Sequence, residues 1–166
     1  MYACGWSPKE MEAYATSPSF QMMTTGTIPS GRRYLYRESD PDASMLNLPF
    51  SPDSLLTTSI PMNIIRPRFL DIEMLRIMGS TGALVGKDFN QLLVPFRCVA
   101  SDVIHKKSVV FESGNLNAAV RASMTYPLYI NPIKIDDIIY FDGGLYNNFP
   151  VNVLYDEFNP DFIIGC

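Results

Sequence analysis

The sequence holds one histidine, His105, and three cysteines, Cys4, Cys98 and Cys166. A single imidazole excludes His-rich metal sites and leaves a Ser-His-Asp arrangement one base to choose from. The cysteines are odd in number, far apart and never in a CxxC pair. That excludes zinc ribbons, thioredoxin-like redox motifs and a disulfide framework. Charge is also scarce, 18% of residues against about 25% in an average domain. With 13 basic and 17 acidic residues and a net charge of −4, no phosphate-tracking surface is expected, and nucleic acid is not an expected partner. No stretch reaches the roughly 20 apolar residues of a membrane-spanning helix. Residues 1–6 lack the basic and apolar segments of a signal peptide. No metal-ligand spacing or cofactor motif is visible, so neither a metal nor a cofactor is expected.

What is present suits a folded chain. Hydrophobic residues make up 47% of 166 positions, too many for intrinsic disorder and about the length of one domain. Ser7-Pro8-Lys9-Glu10 has the form of a capping box with proline at the first helical position, and predicts a helix that stops before Pro18. Residues 18–67 hold seven of the 13 prolines, which predicts an irregular region. Within it, Tyr34-Leu35-Tyr36 reads as a short strand and residues 51–56 as a short helix. Residues 68–78 read as a largely buried helix, and the three glycines from Gly79 to Gly86 as its break.

Strands are expected over residues 94–103, 108–111, 130–135 and 138–141, with a last short one at Phe162-Ile163-Ile164. Helices are expected over 115–124 and 151–158, and Asn115 can cap the first of them. Strands alternating with helices imply an α/β layered fold.

The segment best suited to chemistry is Tyr140-Phe141-Asp142-Gly143-Gly144-Leu145-Tyr146-Asn147-Asn148-Phe149-Pro150. An apolar strand ends in an aspartate, at the strand end where open α/β sheets place ligand loops. Gly143 and Gly144 permit close approach of another group, and Asn147 and Asn148 can fix the loop through local backbone bonds. A purely structural turn would use the same residues. Cys98, in an apolar run, reads as a core thiol. His105 reads as a solvated hairpin residue, and Arg121 as half of a structural ion pair.

Several segments in order carry a resemblance: Pro95-Phe96-Arg97-Cys98-Val99-Ala100-Ser101-Asp102, then Val109-Val110-Phe111-Glu112-Ser113-Gly114, then Ala118-Ala119-Val120-Arg121-Ala122-Ser123, then Pro127, Asn131-Pro132 and the Asp142 loop. Together they resemble the patatin-like phospholipase family, whose DG[AG] signature stands here as Asp142-Gly143-Gly144. Gly5-Trp6-Ser7-Pro8-Lys9-Glu10-Met11 is similar to the segment after that family's nucleophile helix. The resemblance implies a three-layer α/β fold with a mostly parallel central sheet and helices on both faces. It implies a lipid acyl hydrolase with a Ser–Asp dyad, Asp142 acting as proton acceptor and Gly143, Gly144, Asn147 and Asn148 as its supporting loop. The expected partner is a lipid acyl ester, with contact at a membrane surface. Localisation stays open, a bacterial cell envelope included.

No G-x-S-x-G occurs in the chain, and no glycine-rich oxyanion loop. Residues 1–166 are therefore expected to be a partial patatin-like domain, with the first strand, oxyanion loop and nucleophile elbow upstream. Ser7 reads as a helix cap; Ser80 and Ser123 are weak substitutes for the nucleophile. The alternative reading is a non-catalytic remnant or interaction module that kept the fold.

Overall fold

The computed structural model describes residues 1–25, 67–85 and 87–165. The strand expected at 34–36 and the helix expected at 51–56 lie outside them. The first helix, α1 (Pro8–Ala15), starts as its sequence predicts. Ser7 Oγ accepts from the Glu10 amide, and the Glu10 carboxylate accepts from the Ser7 amide at 2.8 Å. Pro18 does end α1, but it also opens a second helix, α2 (Pro18–Thr25). There the missing amide costs nothing, because a first-turn N–H has no helical partner. Ser17 bridges the two, donating to the Tyr14 carbonyl and accepting from the Phe20 amide.

The third helix, α3 (Arg68–Leu84), runs through Gly79 and Gly82 rather than breaking there. Each glycine weakens a helix by about 1 kcal/mol, and burial on the neighbouring helix offsets it. A Cβ on Gly82 would already lie 3.5 Å from Leu116 Cβ. Phe69, Leu70, Met74, Ile77 and Met78 of α3 share one core with Tyr14, Met23, Phe89, Leu116 and Ala119. Tyr14 also donates to the buried Glu73 carboxylate at 3.1 Å, which ties α1 to α3.

Four strands form one sheet: β1 (Cys98–Asp102), β2 (Lys107–Phe111), β3 (Ile133–Ile135) and β4 (Ile138–Asp142). Their order is β2-β1-β4-β3 and every neighbouring pair is antiparallel. The expected mostly parallel sheet is thus wrong for the described residues, where five helices accompany an antiparallel sheet. The reason is in the turns. Asp136 and Asp137, both at positive φ, reverse the chain between Ile135 and Ile138. Such a two-residue turn joins only antiparallel strands, whereas parallel pairing needs a crossover of a dozen or more residues. Residues 103–106 close the β1–β2 hairpin in the same way, with Lys106 at φ 55. The β1–β2 hairpin agrees with the hairpin reading of residues around His105, whereas the β3–β4 hairpin and the antiparallel β1–β4 pairing were not anticipated.

Helix α4 (Leu116–Ser123), capped by the Asn115 side chain on the Ala118 amide, packs on the sheet and beneath α3. Ala122 meets Ala100 and Tyr140 in a second small core. On the other side of β1, the turn Gly143–Leu145 lies against Val99. Helix α5 (Val151–Phe158) is tethered by Arg97, whose Nη2 lies 3.0 Å from Glu157 and whose guanidinium covers the Phe158 ring. Phe162, Ile163 and Ile164 form no strand; Phe162 and Ile164 are exposed and pair with no described strand.

Candidate active site

Asp142 is the last residue of β4, opposite Ala100 of β1. Its amide donates to the Thr125 carbonyl at 2.9 Å, and its own carbonyl accepts from Ser101 Oγ at 2.8 Å. Both peptide groups flanking the Asp142 Cα are thereby fixed from outside the strand ladder. The carboxylate itself is less committed. Oδ1 accepts from the Gly144 amide at 3.2 Å, and no described residue donates to Oδ2. A half-buried carboxylate with one free oxygen can accept a proton from a hydroxyl brought within hydrogen-bond reach.

The two glycines have no room for a side chain. A Cβ on Gly143 would stand 2.5 Å from the Val99 carbonyl oxygen. One on Gly144 would stand 2.9 Å from Asn148 Oδ1 and 3.2 Å from Asp142 Oδ2. The Gly143 carbonyl then accepts from the amides of Tyr146 and Asn147, which curls the loop back on itself. Asn147 also donates through its side chain to Asn152 of α5 at 3.2 Å. Asn148 is exposed and makes no such bond; its oxygen faces Gly144.

Behind Asp142 stands a buried polar post. Thr125 and Ser101 are fully buried, and Arg121 nearly so. The Arg121 guanidinium donates to Thr125 Oγ1, to the Asn131 carbonyl at 3.0 Å and to Asp71 of α3 at 2.8 Å. Thr125 Oγ1 donates back to the Arg121 carbonyl at 2.7 Å. Arg121 thus forms the ion pair its sequence context suggests. Ser101 and Thr125 were missed as neighbours of Asp142. The one signal for Ser101 was a hydroxyl inside the apolar run Val99-Ala100.

The other candidate groups stand apart from Asp142. Ser7 caps α1, Ser80 is exposed on α3, and Ser123 is half-buried at the end of α4. None of them bonds to the Asp142 carboxylate. His105 is exposed at the β1–β2 turn, its Nδ1 2.7 Å from the buried Asp102 carboxylate. Asp102 also accepts from the amides of Ile104 and His105. Burial pushes the Asp102 carboxyl up, but these bonds outweigh it and leave it below the usual carboxylate range. Burial pushes the Cys98 thiol up to about 12, so it is no thiolate nucleophile near neutral pH.

Apolar side chains surround the open side of the loop: Leu145, Tyr146, Phe149 and Tyr155 are exposed. A cleft of about 380 Å³ between α3 and the start of α4 does not include Asp142. No group of metal-binding side chains occurs among the described residues. No helix there is long and apolar enough to cross a membrane.

A strand-end aspartate, a Gly-Gly turn packed on a neighbouring strand and a polar post beneath it thus meet at the end of β4. The sequence pattern of patatin-like phospholipases matches residues 1–155, and the chain belongs to that family. An uncharacterized NTE family protein of Mycobacterium bovis is 36% identical over 77 residues, 46% of this chain and 21% of its own length. A second such protein, from Mycobacterium tuberculosis, is 37% identical over 90 residues, 51% of this chain and 15% of its own. The matches therefore span about a fifth or less of these relatives' lengths.

Proposed function

We propose that this chain carries the proton-accepting half of a Ser–Asp dyad in a lipid acyl hydrolase, with Asp142 as the base. The nucleophilic serine comes from a G-x-S-x-G segment outside these 166 residues, which contain none; they form a partial patatin-like domain. The observation that carries the reading is the free Oδ2 of Asp142, on a backbone held at both flanking peptide groups. Asp142 takes the serine proton as the hydroxyl attacks the ester carbonyl and passes it to the departing alkoxide, so that the alcohol leaves and a covalent acyl-serine remains. Water then attacks the acyl-serine and gives its proton to the same carboxylate, which returns it to the serine oxygen as the fatty acid leaves. Gly143 and Gly144 keep side chains away from that approach, and Asn147 ties the loop to α5. The exposed Leu145, Tyr146 and Phe149 beside the loop support an apolar acyl ester as substrate, presented at a lipid surface.

The test is ester hydrolysis by the full gene product before and after Asp142→Asn. General-base catalysis contributes about 10²–10⁴-fold, so turnover should fall by about that factor. Unchanged turnover would remove Asp142 from the mechanism. The 166 residues alone should hydrolyse nothing, since a base without its nucleophile has no covalent step.

A further inference from the structure

We infer that Ser101 is a positioning residue for Asp142, working as one jaw of a clamp whose other jaw is the Thr125 carbonyl. The proposal rests on the reading of Asp142 as the base, and its structural half is testable without it. Three observations carry it. First, Ser101 sits at full burial in a strand whose five residues are all buried. A hydroxyl there needs a partner, and Ser101 finds it across the sheet, donating to the carbonyl of Asp142 at the very end of β4, at 2.8 Å. Second, the Asp142 amide is bonded not to β1 but to Thr125, just past the end of α4. Third, Thr125 is itself locked, its hydroxyl shared between the Arg121 guanidinium and the Arg121 carbonyl, while Arg121 reaches Asp71 of α3.

The two bonds lie on either side of one Cα. Together they set the direction in which the Asp142 side chain leaves the backbone, at the point where β4 quits the sheet for the Gly143–Leu145 turn. The carboxylate has only the Gly144 amide to orient it, so its aim depends on the backbone beneath. Loss of the Ser101 hydroxyl frees the Asp142–Gly143 peptide to rotate, and both carboxylate oxygens move with it. A base must sit within hydrogen-bond reach of its proton, and a misplacement of about 1 Å costs about 10²-fold in rate.

The test uses Ser101→Ala, Ser101→Thr and Asp142→Asn in the full gene product, with two readouts. One is the ¹³Cγ resonance of Asp142; the other is the split between kcat and KM. Ser101→Ala should shift the Asp142 resonance and lower kcat about tenfold with KM within twofold. Ser101→Thr, which restores the hydroxyl, should recover most of both. A purely structural serine would change melting temperature alone. An unmoved Asp142 resonance with kcat within twofold in Ser101→Ala would overturn the clamp, even if Asp142→Asn abolishes turnover. A moved resonance with full turnover in Asp142→Asn would keep the clamp and overturn the base. If Ser101→Ala does not fold, Thr125→Val tests the other jaw by unlocking Thr125 from Arg121, and the same two readouts decide.

Discussion

On its inner side Asp142 leans on Ser101 and Thr125, which have no solvent exposure. On its outer side Leu145, Tyr146 and Phe149 stand 51%, 48% and 59% exposed. The inner side is polar and fully bonded, the outer side apolar and open. The reverse is usual for a protein surface, because an unpaired polar group is costly inside and an apolar one has no reason to stay outside. The inversion fits the base proposed above, a carboxyl group held through its backbone beside an apolar approach. The backbone there is held by buried hydrogen bonds from Ser101 and to Thr125. The Arg121 guanidinium, spent on Thr125, Asn131 and Asp71, makes no bond to Asp142.

The largest contrast should appear when each side is disturbed in turn. On the inner side, Gly143→Ala places a Cβ against the Val99 carbonyl. Overpacking of this kind costs about 1–3 kcal/mol, so denaturant unfolding should show a loss near the top of that range. Arg121→Met removes a nearly buried guanidinium and leaves the Asn131 carbonyl and Thr125 hydroxyl without their donor. Unsatisfied buried groups cost about 1–3 kcal/mol, and the same measurement should show a loss of about 2. On the outer side, Tyr146→Ser should change stability by less than about 0.5 kcal/mol yet weaken hydrolysis of long-chain esters more than of short ones. Equal losses on the two sides would break the comparison.

Acid provides a smaller probe, away from the site. Asp102 is held below the range of an unfolded aspartate by the Ile104 and His105 amides and the His105 ring. Its stabilisation of the β1–β2 turn is therefore complete above the unfolded pKa, about 3.9. It fades as pH falls through the lower folded value. Hydrogen exchange at the Ile104 and His105 amides should accelerate across that acid range, beyond the intrinsic pH trend, and Asp102→Asn should remove the dependence. The smallest effect concerns Cys98, whose buried thiol should resist alkylation at pH 8 while the half-buried Cys4 is labelled first; mass spectrometry of the native protein checks this.

Local signals in the sequence carried far. The capping box at Ser7 and Glu10 and the Asn115 cap each specify their neighbourhood through bonds only a few residues long. Strand direction was not legible, because β1 pairs with β4 across some forty residues and no local pattern records which way the partner runs. Helix α2 was hidden because Pro18 reads equally as a stop and a start. Gly79 and Gly82 suggested a break because the α4 residues they face, Asn117 and Leu116, lie on another helix. The Asp142 loop stood out through its glycines, whereas its supports did not. Ser101 and Thr125 reach it through backbone carbonyl and amide groups that every residue shares, so no residue type marks the contact.

The most direct measurement is the site and rate of covalent labelling of the full gene product by a fluorophosphonate, read by mass spectrometry. The account predicts label on a G-x-S-x-G serine outside residues 1–166, at a rate that collapses in Asp142→Asn. Label on Ser80, Ser123 or any other serine of this chain, or an equal rate in both proteins, would contradict it.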